Sequence, residues 1–265
     1  FIYAPLFVII GYSFNSNPVN MMIWEGFTLD WYTGLFGLSD RTTGVGNRAA
    51  YIESTDQMLA ALRTSLTVAL FTTTISTVIG TATAIALARY RFRARGFYNG
   101  FLMLPMMMPD IVLGIGLLIF FVTLGMKLSL LTIIIGHCTF LTSYVFIIVQ
   151  ARIAGLDPAL EEASADLGAN SFQTFRYVLL PNLGSALLAG GMLAFALSCD
   201  EVIVTTFTAG QQSTLPIWML QELVRPRQRP VTNVVAIVVF AATFLPILIA
   251  YYLTRGGADT AGAGK

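Results

Sequence analysis

Residues 161–181 read "EEASADLGANSFQTFRYVLLP", the most polar long stretch in a chain that is otherwise largely apolar. Just ahead of it, Asp157-Pro158 has the form of a helix start, an N-cap carboxylate followed by proline at the first helical position. Leu160, Ala163 and Leu167 then fall on one side at helical spacing, while Glu161, Glu162 and Asp166 take the others. Gly168 supplies a stop. Ser171 is placed to cap a second helix, in which Phe172, Phe175 and Leu179 repeat at i, i+3 and i+7, and Pro181 is expected to end it. The spacing predicts a short helical hairpin over 157–181, set between two apolar runs.

Composition says what surrounds that hairpin. Of 265 residues, 56% are hydrophobic and only 11% charged, whereas a soluble domain carries about 25% charged residues. With a mean hydropathy of +0.74, the chain is an integral membrane protein. A net charge of +1 excludes nucleic acid as a partner, since that needs a clustered basic surface. Cys138 and Cys199 both lie in apolar runs, where they read as small buried hydrophobes and not as a disulfide or metal pair.

Runs at 64–88, 99–124, 129–150, 183–206 and 233–253 each approach or exceed the ~20 residues of a spanning helix. The first run, "FIYAPLFVIIGYSF" (residues 1–14), makes about 21 Å of helix against about 30 Å of hydrocarbon. It is therefore read as a transmembrane helix truncated at its start. The expected fold is an all-α membrane protein with six transmembrane helices. Residues 15–63 form a periplasmic loop, 64–253 a five-helix core, and 254–265 a cytoplasmic tail. Thr, Ser, Gly and Ala crowd the 64–88 run, which suits close helix packing in lipid. No tandem repeat is visible, which disfavours solenoids and duplicated carriers.

Orientation rests on "RYRFRAR", which concentrates Arg89, Arg91, Arg93 and Arg95 in one short connection and places that side in the cytoplasm. The 151–182 loop then also lies inside, and the loops 15–63, 125–128 and 207–232 lie outside. Over the whole chain the bias is slight, eight Lys/Arg inside against seven outside, because Arg225, Arg227 and Arg229 fall on the outer side. Trp24, Trp31 and Trp218 all lie in outer loops, as interfacial anchors do.

The hairpin has a more specific signature. Glu162-Ala163-Ser164, three residues, Gly168, nine residues and Val178-Leu179-Leu180-Pro181 closely resemble the EAA loop of bacterial ABC importer permeases, E-A-A, three residues, G, nine residues, I-x-L-P. Ser164 stands for the third-position Ala and Val178 for Ile. Further stretches resemble the second permease subunit of spermidine/putrescine importers: "WEGFTLDWYTGLF" (24–36), "TSLTVA" (64–69), "ALARYRFRARG" (86–96), "MMMPDIV" (106–112) and "FALSCDEVIVTTFTAG" (195–210). The outer segment 37–55 is longer than that family usually has, and a contact with a solute-binding protein is one use for it.

The resemblance implies a type I (MetI-like) permease fold in the bacterial inner membrane, with the hairpin as a coupling helix docked in a groove of a cytoplasmic ATPase. Glu162, Ala163, Ser164, Gly168, Leu180 and Pro181 are then the coupling residues. A small-residue helix face laid in a partner's groove is a recurrent recognition mode. It implies a homologous sister permease, two ATPase subunits and a periplasmic or lipid-anchored solute-binding protein. It implies no cofactor on this chain, ATP and Mg belonging to the ATPase. In keeping with that, no G-x-x-x-x-G-K-[ST] loop is present, so the chain is not itself read as an enzyme.

Carboxylates within apolar runs bear on the substrate. Asp200 and Glu201 sit about 15 residues into the fifth run, and Asp110 follows Pro109 near the middle of the third. A carboxylate in hydrocarbon costs about 2.5–3.5 kcal/mol even on a lenient scale, so such groups face a cavity or a partner. No Lys or Arg lies in these runs, so a transported cation is one counter-charge. Hydrogen bonds to neighbouring helices, or pairing with the sister permease, is the other reading. Neighbours on a helix point about 100° apart, so Asp200 and Glu201 do not both face one pore fully. Pro105 and Pro109 interrupt the third helix, either near a transport site or for packing. Tyr144 can stack on a cation or pack. His137, the single histidine, reads as a packing residue. The reading is a polyamine permease. An opine, amino-acid derivative or aminophosphonate is the alternative within the class, and an ion-coupled secondary carrier the alternative outside it. An intramembrane aspartyl protease lacks the Gly-x-Gly-Asp context around Asp110 and Asp200.

Overall fold

In hydrocarbon each backbone polar group must be satisfied within the protein, which makes helix the natural form for long apolar runs. The computed structural model describes residues 4–17, 23–35, 48–90, 92–224, 233–238, 240, 241, 244 and 248. The described elements are α1 (Ala4–Tyr12), α2 (Asp30–Leu35), α3 (Arg48–Arg89), α4 (Arg95–Met107), α5 (Asp110–Thr123), α6 (Leu130–Ala154) and α7 (Ala159–Asp166). After them come α8 (Ser171–Gln173), a π-helical stretch Thr174–Leu179, α9 (Leu180–Asp200), α10 (Ile203–Thr208) and α11 (Leu215–Val224).

Among the described residues three helices are long and apolar enough to cross a membrane: Asp56–Arg89, Leu130–Ala154 and Ser171–Asp200. A fourth is added if α4 and α5, bent by 106° at Met108-Pro109, count as one broken span. The expectation of six spans also involves 1–14, where α1 is nine residues long, and 233–253, much of which lies outside the described residues.

The chain divides into two compact units, and the boundary at Thr64 falls inside α3. In the first, residues 13–17 and 23–35 form more than a loop. Asn15, fully buried, donates through Nδ2 to the Ile23 carbonyl (2.8 Å) and accepts at Oδ1 from the backbone N–H of Asn17 and of Glu25 (3.2 Å each). Its own carbonyl accepts from Trp31 Nε1 (2.7 Å). One amide side chain thus satisfies a reversal of the backbone that is short of regular partners. Met58, Ala61, Leu215, Trp218 and Val235 form this unit's core. Within the segment 15–63, expected as an outer loop, α2 and the first turns of α3 are helical, and of residues 37–55 only 48–55 lie within the described helix. Trp218 is a core residue, 4% exposed, instead of an interfacial anchor.

The second unit is organised around α6, which packs against α9, α4 and α10. Its core holds Leu141, Val145, Phe146 and Val149 of α6 with Ala84 of α3, Leu113 of α5, Leu183 and Ala194 of α9, and Val204 of α10. Two of the expected spans are broken here. The 99–124 run is cut at Met108-Pro109. The 183–206 run leaves helix after Asp200 and resumes at Ile203.

Candidate functional site

The first break follows from Pro109. Met108 sits in the extended region (φ −76°, ψ 143°), where a residue before proline is driven by clash with the ring. Asp110 becomes the first residue of α5, at the positive end of the helix dipole, where a carboxylate gains about 0.3–1 kcal/mol. The turn is held by packing. α5 lies against α10, and a Cβ added at Gly114 would sit 2.6 Å from Phe207 Cδ2, so no side chain fits there without moving the ring.

The second break has no proline. Asp200 is the last residue of the 21-residue α9 and Glu201 is extended (ψ 116°). Glu201 folds back as a cap, its Oε1 accepting from the Val204 N–H at 2.8 Å, and its carbonyl accepts from Thr205 Oγ1 at 2.8 Å. Asp110 and Asp200 both act electrostatically on Glu201, so the two breaks face each other closely enough for their charges to interact. They are not equivalent. Glu201 is half-buried and its Oε1 is engaged in capping, whereas Asp110 and Asp200 are exposed on this subunit and have no hydrogen-bond or ion-pair partner among the described residues. Asp200 is also at the negative end of a helix dipole, the unfavourable end for a carboxylate. Of the adjacent acids, Asp200 is the one with neither oxygen engaged among the described residues.

His137 of α6 reaches both flanks of this break. Its Nδ1 is 2.9 Å from Ser198 Oγ in α9, and its Nε2 is 2.8 Å from Thr205 Oγ1 in α10. The sequence reading gave it only packing. The available signal was one imidazole in an apolar run opposite a run bearing Ser198 and Thr205. Tyr144, two turns further along α6, packs against the main core cluster, the packing role left open from sequence.

The hairpin forms where expected, with different caps. Asp157 Oδ1 accepts from the Ala159 N–H at 2.9 Å, which starts α7. Gly168 ends it with φ +82°. The Ala169 N–H bonds to the Ser164 carbonyl (3.1 Å) and the Gly168 N–H to the Ala165 carbonyl (2.8 Å), the two crossed bonds of a Schellman cap that calls for a left-handed residue. Ser171 does not cap the second arm. Asn170 does, in a reciprocal capping box with Gln173 (2.9 and 2.8 Å).

Pro181 does not end that arm either. Ser171–Asp200 is one continuous helix, because the stretch before the proline widens to π geometry, with the Leu180 N–H bonding to the Phe175 carbonyl. That widening relieves the ring's clash with the preceding turn, and Asn182 Nδ2 donates to the Val178 carbonyl at 2.7 Å. Local π adjustments of this kind are how membrane helices tolerate proline.

Within the hairpin, Glu162 and Ala163 are exposed, with Leu160 and Leu167 apolar and uncovered, the latter 89% exposed. Ser164 is buried, and its hydroxyl meets Thr174 Oγ1 at 2.9 Å, tying the arms together. Glu161 forms an ion pair with Arg89 at the end of α3, which puts the arginine-rich connection and the hairpin at one end of the unit. Arg91 lies outside the described residues. A cavity of about 370 Å³ beside the second arm is lined by Thr77, Thr81 and Ile85 of α3 with Phe175, Leu180 and Leu187. It contains none of the carboxylates. Leu180 borders that space and Pro181 is exposed.

An apolar helical unit with carboxylates at two helix breaks and a polar hairpin at one end has the parts that a transport component needs, and comparison with known proteins places the chain in that class. Residues 76–256 match the binding-protein-dependent transport system inner membrane component family, and the chain belongs to it. It is 34% identical over 255 residues to the spermidine/putrescine transport system permease protein PotC of Escherichia coli K12, covering 96% of this chain and 90% of that protein. It is 33% identical over 260 residues to the putrescine transport system permease protein PotI of the same strain, covering 96% and 86%. Among solved structures it resembles a bacterial ABC transporter involved in import of the acidic polysaccharide alginate, with TM-score 0.65 and 14% identity over 96% of this chain and 90% of that one. An amino acid ABC transporter gives TM-score 0.60 and 18% identity over 80% and 99%. At these identities the two structures speak to fold alone. Family membership sets aside the secondary-carrier alternative.

Proposed function

We propose that this chain is the permease subunit of an ATP-binding-cassette importer that passes a polyamine-like cation across the bacterial inner membrane. The observation that carries the substrate class is the convergence of Asp110, Asp200 and Glu201 at two helix breaks, with Asp110 and Asp200 lacking any partner among the described residues. Anionic groups left uncompensated in a membrane protein call for positive charge on what passes them. The identity to polyamine permeases supports the same reading.

The hairpin is the coupling element in this proposal. Glu162 and Ala163 present the docking face, and Gly168 fixes the reversal behind it. Ser164 and Thr174 transmit movement between the arms, and the unbroken helix from Ser171 to Asp200 joins the hairpin to the acidic break. ATP binding by partner ATPases would close the motor and turn the pathway outward, where a loaded binding protein releases its solute. Support for such a partner includes a structural relative solved in complex with an alginate-bound periplasmic protein. A homologous sister permease would complete the pathway.

The test is ATP hydrolysis and uptake by the reconstituted importer, challenged with spermidine, putrescine, amino acids and opines. Stimulation by a polyamine, falling about tenfold or more in Asp200→Asn as expected for loss of a desolvated charge contact, supports the reading. Stimulation by an amino-acid-like solute alone sinks the polyamine assignment. Glu162→Ala is expected to leave hydrolysis running while uptake falls, and unchanged uptake would remove Glu162 from the coupling role.

A further inference from the structure

We infer that His137 is a positioning residue for the acidic break, holding the separation between Asp200 and the end of α10 so that the carboxylates match the charge spacing of the transported cation. The inference rests on the cation-pathway reading above. His137 is 1% exposed, on the helix around which the unit is built. Its ring spans the break between α9 and α10, where Glu201 is extended.

The hydrogen bonds select one arrangement. The Thr205 hydroxyl has a single proton, and it is directed at the Glu201 carbonyl (2.8 Å). Its oxygen must then accept from His137 Nε2–H (2.8 Å). In this tautomer Nδ1 is an acceptor, so the Ser198 hydroxyl donates to it (2.9 Å). In this arrangement each N–H and O–H donor from Ser198 through the ring to Thr205 has one acceptor. At its other end α10 meets the same helix, where Thr132 Oγ1 lies 2.8 Å from both the Thr208 and the Ser129 carbonyls and shares its one proton between them. α10 is six residues long, too short to hold a place by its own helical cooperativity. Removing the imidazole takes away the side-chain link between α9 and the end of α10 next to the carboxylates, while packing of Val204 still holds the helix in the core.

A positioning role differs from a folding role in what it does to selectivity. A diamine and a triamine place their charges at different spacings, and at an effective dielectric of about 20 a shift of about 1 Å in a charge pair near 4 Å changes the affinity it supports by roughly threefold to fourfold. Their uptake ratio, measured on one preparation with one binding protein, is independent of how much importer is folded.

The experiment measures putrescine and spermidine uptake by the full importer in proteoliposomes for His137→Leu, His137→Gln, Thr205→Val and Asp200→Asn. The Gln amide reaches the place of Nε2 and keeps the bond to Thr205. The expected result is a change of about threefold or more in the ratio for His137→Leu and in the same direction for Thr205→Val, with His137→Gln returned to within about twofold of the parent. If uptake of both solutes falls in proportion in His137→Leu and Thr205→Val, with the ratio unmoved, His137 is a packing residue and the proposal fails while the pathway reading stands. If Asp200→Asn leaves both uptakes unchanged, the pathway reading fails and takes the positioning role with it. Should His137→Leu not insert, the ratio in Thr205→Val decides alone.

Discussion

Pro109 lies within one apolar run and Pro181 just ahead of another, and the chain treats the two prolines in opposite ways. At Pro109 the preceding residue is extended (ψ 143°) and the helix direction changes by 106°. At Pro181 the preceding residue is helical (ψ −43°) and a 30-residue helix runs through. Proline removes one donor and crowds the preceding turn in both places. What differs is the company. Pro181 has a π-widened turn ahead of it and the Asn182 side chain bonded to the Val178 carbonyl. Around Pro109, α5 is drawn against α10 at Gly114. The Glu201 break completes the contrast, since it forms with no proline, by a carboxylate cap and a threonine bond. Proline therefore permits a break, and packing decides it.

The largest expected effect comes from breaking the packing and leaving the proline. Gly114→Leu drives a side chain into Phe207, and overpacking of about 1–3 kcal/mol corresponds to roughly a tenfold loss of uptake. Uptake near parent level would show that α5 is not held by that contact. Pro109→Ala is the next step down. It restores one backbone donor, worth about 0.5–1.5 kcal/mol toward a straight helix, against packing that still favours the bend. Uptake is expected to fall about threefold, and cysteine pairs placed across α5 and α10 should still cross-link. Loss of the cross-link would mean the proline alone made the turn. The smallest effect is expected from Pro181→Ala, where the helix already continues. Uptake should stay within about twofold of the parent. A tenfold fall would show that the π-turn itself moves during coupling.

The hairpin was legible in the sequence because its signals are local: Asp157, Gly168 and the small residues between act within one or two turns. Its caps were legible less well, since Ser171 and Asn170 are both competent and only the reciprocal Gln173 bond chooses. Ser164 looked like a mild departure from an alanine, and its bond to Thr174 becomes visible only when the arms close. Asp110, Asp200 and Glu201 were conspicuous as charges in hydrocarbon. That Glu201 caps a helix while Asp200 stays unpartnered among the described residues was not readable, because it depends on where the helix stops.

By itself the sequence determined the class of solvent, the helical character of the apolar runs, the place of the hairpin and the acids that no lipid would accept. Those follow from side-chain chemistry and short-range periodicity. Only the tertiary structure decided which proline turns the chain, which carboxylates meet, and that a lone histidine joins the two sides of a helix break. Each depends on groups far apart in the chain, Gly114 with Phe207 or His137 with Thr205, brought within contact by the packing of α6 against its neighbours.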